Sequence, residues 1–232
     1  MIAKLNEAFS HIYFIEEGHK YLNINTNENL ISVTTKKKDY VRQFEGKQKD
    51  YWLNRKATEA GITPDEMQEE WDEKRIVGTT RGSIIHDYAE NISNRKITAP
   101  ELNIPGLAKL KRQANLYFKD HIDYVNIATE LVVGNDKIGG MIDRLCLNEK
   151  GQLGIVDYKT DKEFRESYGK KMKKPYNHLP SDSIHGYYLQ VNMYRELLEE
   201  KGFNIEFMEI VHFGINNDDY VLLNVPKIDI IW

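Results

Sequence analysis

The most constraining feature of the sequence is a pair of apolar runs that flank a polar turn and carry charged residues at matched positions. From residue 139 to residue 160 the chain reads GGMIDRLCLNEKGQLGIVDYKT. This pattern predicts a β-hairpin with its turn at residues 148–151. Facing residues in a hairpin lie equally far from the turn, so Asp143 and Asp157 are predicted to face each other within one residue of register. Lys159 shares the face of Asp157.

Two carboxylates held this close repel each other, so a positive charge has to compensate for them. A divalent cation does so, and Mg²⁺ in proteins commonly binds one or two carboxylates together with phosphate and water. Lys159 beside such an ion can orient or deprotonate a water molecule or neutralise charge on a phosphate. The alternative is a structural Asp–Lys pair at a sheet edge, worth less than about 1 kcal/mol.

The N-terminal half predicts a β section followed by helices. HIYFI and KYLNI predict a hairpin, LISVTT a third strand, and the residues from Asp39 to about Ala60 a helix. A capping box from Thr63 to Glu66 starts the next helix, which is predicted to end near Lys74. Two glycines then predict a break before the short helix SIIHDYAENI, namely Gly78 and Gly82.

The second half of the sequence predicts strands in two groups, each preceded by a helix. A helix from about residue 105 precedes three strands, YVNIATELVVG, KIGGMIDRLCL and QLGIVDYKT, and the helix SIHGYYLQVNMYRELLEEK precedes the strands NIEFMEIVHFG and YVLLNVP. This order predicts an α/β fold with a mixed sheet flanked by helices. The length fits a single domain over 1–232, with an N-terminal β section (1–35), a helical part (36–122) and an αβ core (123–232).

Net charge is −4, but basic residues cluster in two segments. Residues 36–56 hold eight basic against three acidic side chains, and residues 159–174 hold seven against three. Such segments can line a groove that binds phosphate, although solvated surface is the simpler interpretation. The candidate DNA contacts among them and in the nearby LISVTT stretch are Ser32, Thr34, Lys36, Lys37, Lys170, Lys171 and Lys173.

The single cysteine, Cys146, excludes disulfides within the chain and a cysteine-ligated iron–sulfur cluster. We expect it to be a buried, inert thiol in a protein of the cytoplasm. No apolar run reaches the length of a membrane span, so we expect no membrane association.

The stretches GMID and IVDYKT resemble the paired motif of the PD-(D/E)xK nuclease superfamily, with Ile142 in place of the motif's proline. Three more segments resemble its RecB-type exonuclease branch: GSIIHDYAE at 82–90, QVNMY at 190–194 and the acid of TELVVG, Glu130. The segment KKMKKPYNHLPSDSIHGYYLQVNMY resembles tailed-phage members of this branch, and LISVTT resembles a phosphate-contacting element of its phage and mitochondrial single-strand DNA exonucleases. These matches follow the branch's order from about Arg81 to His212, over half of the chain.

The resemblance implies a restriction-endonuclease-like core with an N-terminal β-hairpin and a helical insertion. It implies that Asp143, Asp157 and Lys159 are catalytic, and that one or two Mg²⁺ or Mn²⁺ ions bind His86, Asp143, Asp157 and the backbone carbonyl of Tyr158. Supporting or DNA-positioning roles are implied for Glu90, Glu130, Gln190 and Tyr194.

The activity implied is a metal-dependent DNA exonuclease that acts on the ends of single-stranded or processed DNA during phage replication or recombination. Such an enzyme would work in the host cytoplasm, with a replication or recombination protein as a possible partner. Two alternatives stay open on the same fold: a structure-specific endonuclease and a non-catalytic DNA-end-binding protein. A third is a scaffold protein in which the motif matches are accidental.

Overall fold

The computed structural model describes residues 1–42, 47–96 and 104–232. Its helices are α1 (Ile2–Ala8), α2 (Val33–Lys38), α3 (Lys47–Ala60), α4 (Pro64–Ser93), α5 (Leu107–Asp120) and α6 (Ser183–Glu199). Its strands are β1 (Ile12–Ile15), β2 (Lys20–Asn23), β3 (Glu28–Ser32), β4 (Val125–Gly134), β5 (Ile138–Leu147), β6 (Leu153–Lys159), β7 (Phe207–His212) and β8 (Val221–Asn224). None of the helices in these ranges is long and apolar enough to cross a bilayer.

The strands form one mixed sheet in the order β1-β2-β3-β5-β6-β7-β8, with β4 paired to β5. The β3–β5 and β6–β7 pairs are parallel, and the other pairs are antiparallel. Apolar residues of α1, α2 and α6 form a core on one face, and those of α4 and α5 form a core on the other. The predicted α/β class with a mixed sheet flanked by helices is therefore confirmed.

The β5–β6 hairpin has the predicted register. Arg144 pairs with Val156 and Leu147 with Leu153, on either side of a turn held by the Asn148 side chain, which accepts from the backbone N–H groups of residues 150 and 152. The ladder ends at Arg144 and Val156, one step before the two aspartates. Further along, the same edge of β5 pairs with β3 instead. A fork therefore opens between β5 and β6 at the predicted acidic positions.

The predicted helix break near Gly78 and Gly82 is wrong, because α4 is continuous over 30 residues. Its predicted start is confirmed: Thr63 caps the helix, and Glu66 accepts a hydrogen bond from the Thr63 backbone. A Cβ on Gly82 would lie 2.8 Å from Thr160 Oγ1. Gly82 therefore allows α4 to approach the end of β6 closely, at a cost in helix propensity of about 1 kcal/mol.

The prediction that LISVTT is one strand is also wrong. β3 ends at Ser32, and Val33 begins α2. The Ser32 hydroxyl accepts a hydrogen bond from the Thr35 backbone N–H at 3.0 Å, which is an N-cap. Capping therefore outweighs the β propensity of the valine and threonines. Of the helix predicted from Asp39 to about Ala60, the structure has only α3. Residues 39–42 are not helical, and residues 43–46 lie outside the described ranges.

Candidate metal centre

Three side chains from different parts of the sheet and its helices converge at the fork. His86 comes from α4, Glu130 from β4 and Asp143 from β5, and one potential ligand atom of each lies within 4.8 Å of the other two. Sequence analysis gave Glu130 a supporting role. The structure places it instead in the same group as His86 and Asp143.

A paired irregularity of β4 and β5 brings the two acids to this position. Glu130 has a positive φ of 47°, which is rare and strained for a residue with a side chain. The β4–β5 residue pairs directly before and after Glu130 keep the same register, so neither strand has an inserted residue at this position. Yet Ala128 and Leu131, three residues apart, both face the α6-side core, as do Ile142 and Leu145. In a regular strand the side chains alternate between the two faces of the sheet, so residues three apart lie on opposite faces. The side-chain pattern therefore switches face once in each strand, at Glu130 in β4 and at Asp143 in β5.

Asp143 is fixed at the point where the β5–β6 ladder stops. Its Oδ2 accepts a hydrogen bond of 2.7 Å from the Tyr158 backbone N–H, and His86 Nδ1 lies 3.6 Å from the same oxygen. Burial alone would raise the pKa of Asp143, but the neighbouring charges of His86 and Lys159 lower it overall. Burial likewise would lower the pKa of His86, and the charge of Asp143 raises it overall. The carboxylate is thus kept ionised beside the imidazole.

Asp157 and Lys159 form a buried ion pair next to this group. Lys159 Nζ lies 2.5 Å from Asp157 Oδ2, and their side chains are only 14% and 4% exposed, respectively. Burial raises the pKa of Asp157, with Lys159 opposing and Asp143 adding to the effect. Burial would lower the pKa of Lys159, but Asp157 and Asp143 raise it overall, so the amine stays protonated at neutral pH. Asp157 is not a member of the His86–Glu130–Asp143 group.

Gln190 and Tyr194 of α6 lie against Asp157. The Gln190 side-chain N–H groups donate to Asp157 Oδ1 and to the Tyr194 hydroxyl, both at 3.4 Å. The ring of Tyr194 fits because Gly140 has no side chain: a Cβ there would lie 2.6 Å from Tyr194 Cε1. This is the close approach to the first hairpin strand that its two glycines allow.

Glu90 does not orient His86 through the hydrogen bonds that the structure describes for it. Its Oε1 accepts from the Asn94 side chain at 3.3 Å and from the Thr129 hydroxyl at 3.4 Å, and Lys96 Nζ lies 3.9 Å away. These contacts attach the C-terminal end of α4 to β4, immediately before Glu130. Glu90 therefore anchors the helix that carries His86.

The N-terminal DNA-contact candidates divide into two kinds. Ser32 caps α2, Thr34 is exposed, and Lys36 pairs with Asp39 at 3.2 Å. Lys37 instead reaches into the site, where its Nζ donates to Gln190 Oε1 at 2.8 Å.

The candidates of the second basic segment lie on the loop before α6. Lys170, Lys171 and Lys173 are exposed. The loop packs against the segment after α2, since the Lys173 backbone N–H donates to Tyr40 O and Arg42 Nε donates to Lys171 O. These lysines therefore form a surface beside α2 rather than part of the metal centre.

Sequence analysis missed Tyr187. Its ring lies 4.8 Å from Lys159 Nζ and 4.6 Å from Lys37 Nζ, and its hydroxyl donates to Asp161 Oδ2 at 2.7 Å. Both ammonium groups therefore interact with the ring of Tyr187. Tyr187 lies three residues before Gln190 on α6, and this helical spacing is the signal that could have identified it.

The donor set fits a divalent cation. An imidazole with two carboxylates suits Mn²⁺, and the carboxylates also suit Mg²⁺. Partial burial and the charge of Asp143 raise the pKa of Glu130 to about 7, and a bound cation would oppose this shift.

No family model matches the sequence, and no curated protein matches it. One match among solved structures is a chain described as "Crystal structure of SSO0001", at 14% identity and a TM-score of 0.36, covering 97% of this chain and 74% of that chain. A functional assignment therefore depends on the geometry of the site itself.

Proposed function

We propose that the protein is a divalent-metal-dependent deoxyribonuclease that hydrolyses phosphodiester bonds from the ends of single-stranded or processed DNA. The observation that carries the proposal is the His86–Glu130–Asp143 group beside the buried Asp157–Lys159 pair, at the fork of one hairpin. This is the combination of charges that metal-assisted attack on a phosphodiester requires.

Each charged group has a separate task. His86, Glu130 and Asp143 would hold the cation, with Asp157 beside them. A bound divalent ion supplies positive charge to the phosphate oxygens and lowers the pKa of the attacking water. Lys159 stays protonated because of its acidic neighbours, so it aligns the water and stabilises the charged phosphate instead of accepting a proton.

Basic and aromatic side chains on α3, on α4 and after β6 support DNA as the substrate. A cleft of about 790 Å³ between α4 and the end of β6 is lined by Arg75, Arg81 and Lys162 among others. On α3, Tyr51 is exposed, and the Arg55 guanidinium lies 4.9 Å from the centre of the Trp52 ring. Stacked aromatics and cations of this kind bind single strands without sequence preference.

The test is digestion of end-labelled linear DNA and of circular single-stranded DNA, each with Mg²⁺, Mn²⁺ or EDTA. We expect metal-dependent loss of linear DNA and no cutting of circles. Cutting of circles would favour a structure-specific endonuclease, since a circle has no ends. DNA binding without cleavage in any divalent ion would contradict the proposal and favour a DNA-end-binding protein.

A phage setting, a replication or recombination partner and a cytoplasmic location belong to the same proposal. They can be tested by affinity purification from cells that express the active protein. Enrichment of a helicase or recombinase would support them, and enrichment of proteins unrelated to DNA would count against them.

A further inference from the structure

We propose that Lys37 is a positioning residue that fixes the carboxylate of Asp157 through the side-chain amide of Gln190. This inference rests on the proposed nuclease function for its kinetic consequences, but its structural part is testable without activity. Lys37 lies far from the hairpin in sequence and belongs to none of the motifs that the sequence predicted to be catalytic.

The placement of Lys37 follows from the local fold. The Ser32 cap starts α2 directly after β3, and α2 packs on α6. A Cβ on Gly186 would lie 3.9 Å from Lys37 Cδ, so the lysine stem runs past α6 at ordinary contact distance. Its Nζ then lies over the ring of Tyr187 and 2.8 Å from Gln190 Oε1.

The chemistry of the amine decides which way the amide points. A lysine ammonium only donates hydrogen bonds, so the Gln190 atom that it meets has to be the oxygen. The amide nitrogen then faces Asp157 Oδ1 and the Tyr194 hydroxyl. In the opposite orientation, N–H groups would face the ammonium and the oxygen would face a carboxylate. Lys37 and Asp157 therefore favour the same orientation of the amide, and Lys37 holds its oxygen in place.

Asp157 is consequently held on both oxygens, Oδ1 by Gln190 and Oδ2 by Lys159. Fixing both oxygens fixes the plane of the carboxylate and, through the ion pair, the position of the Lys159 ammonium. Outer partners of this kind orient the groups that carry the chemistry, and their loss commonly lowers activity by about 10- to 100-fold.

The lysine is held there against its own electrostatic preference. Burial, together with the nearby charge of Lys159, lowers the pKa of Lys37 to about 8. Replacing such an amine by an apolar side chain of similar length is often neutral or stabilising for the fold. A purely structural role would give the opposite result.

The experiment compares Lys37→Met with Lys38→Met, its exposed neighbour on α2, and with Gln190→Leu and the Lys37→Met/Gln190→Leu double variant. We expect Lys37→Met to keep Tm and KM for DNA but to lose about tenfold in kcat. The double variant should be no slower than Gln190→Leu alone, because both changes break the same connection. Lys37→Arg keeps a donor and should recover part of the rate.

Two kinetic results would overturn the proposal. Multiplying losses in the double variant would mean that Lys37 and Gln190 act independently. A rise in KM and a weaker salt dependence in Lys37→Met would mean that Lys37 binds a DNA phosphate. If Lys37→Met does not fold, Lys37→Leu, which also removes the ammonium donor, carries the same comparison.

The amide signals of Gln190 in ¹H–¹⁵N spectra give a readout without any substrate. We expect slowly exchanging, well-dispersed signals in the wild type and exchange-averaged signals in Lys37→Met, with no change in Lys38→Met. If wild-type protein degrades no DNA but these signals behave as described, the nuclease proposal fails and the positioning role stands. Unchanged Gln190 signals in Lys37→Met would overturn the positioning role.

Discussion

The backbone N–H of Tyr158 donates to the carboxylate of Asp143 at 2.7 Å, immediately beyond the last ladder pair of their hairpin. The Asp143 side chain thus connects β5 to β6 at the point where backbone pairing between the two strands ends. The contact joins the strand that carries Asp157 and Lys159 to the acid nearest His86.

Lys159→Ala should lower the cleavage rate by at least about a hundredfold while DNA affinity remains. It also leaves Asp157 buried without its partner, so the free energy of unfolding should fall by about 3 kcal/mol. Adding Asp157→Asn should restore much of this stability but none of the activity. Denaturant unfolding and single-turnover cleavage measure the two effects. The control is Lys150→Ala, in the exposed hairpin turn. Cleavage at the wild-type rate by Lys159→Ala would contradict the catalytic role of Lys159.

His86→Asp should shift metal preference from Mn²⁺ towards Mg²⁺. The change replaces the nitrogen ligand by oxygen, and a site of oxygen ligands suits Mg²⁺ better. The ratio of cleavage rates in the two metals and calorimetric affinities measure the shift, with exposed His178→Asp as the matched control. An unchanged ratio would show that the imidazole does not contact the metal.

Stability of the metal-free protein should fall as pH rises from about 5 to 7.5. The pKa of Glu130 in the folded protein, about 7, lies above the ordinary value of 4.5. The folded state therefore binds more protons than the unfolded state between these values, and stability is lost as the group ionises. Tm measured against pH in EDTA checks this. Added Mn²⁺ should abolish this loss of stability. The affinity of the protein for Mn²⁺ should increase as the pH rises through 7. Glu130→Gln should flatten both curves, whereas Glu149→Gln should leave them as in the wild type.

Gly82→Ala and Gly78→Ala should have opposite effects. A Cβ on Gly82 would lie 2.8 Å from Thr160 Oγ1, whereas one on Gly78 meets nothing within 4 Å. We expect Gly82→Ala to lower the free energy of unfolding by about 1 to 3 kcal/mol and to reduce activity, since α4 carries His86. Gly78→Ala should raise stability by up to about 1 kcal/mol. Thr160→Ala should rescue Gly82→Ala, and equal destabilisation by both glycine changes would refute the packing explanation.

The hairpin could be predicted because turn residues and alternation fix its register, and Asp143, Asp157 and Lys159 follow from that register. The position of Glu130 could not be predicted in the same way. It depends on a switch of side-chain face in both β4 and β5. Strands are identified in a sequence by regular alternation of apolar and polar residues, and this switch interrupts that alternation. A strained φ is stabilised by the surrounding fold, and a single sequence carries no local signal for it.

The wrong prediction at Gly82 and the unpredicted contact of Lys37 with Gln190 have a common physical origin. Gly82 is read locally as a breaker, but its role is set by Thr160 in another part of the chain. Lys37 is predicted from its basic segment to be a DNA contact or solvated surface, and the Ser32 cap begins a helix that directs it towards Gln190. In both cases contacts distant in sequence determine what the residue does.

Strand β5 has three neighbours in the sheet, β3 and β6 along one edge and β4 along the other. The charged groups of the site are divided among α4, β5 itself and the strands β4 and β6 on its two sides. A nascent or clipped chain that lacks β4 or β6 therefore lacks part of the charged set. Under the proposed function, cutting ability would arise only at the end of folding, so that unfinished copies would not damage the DNA around them.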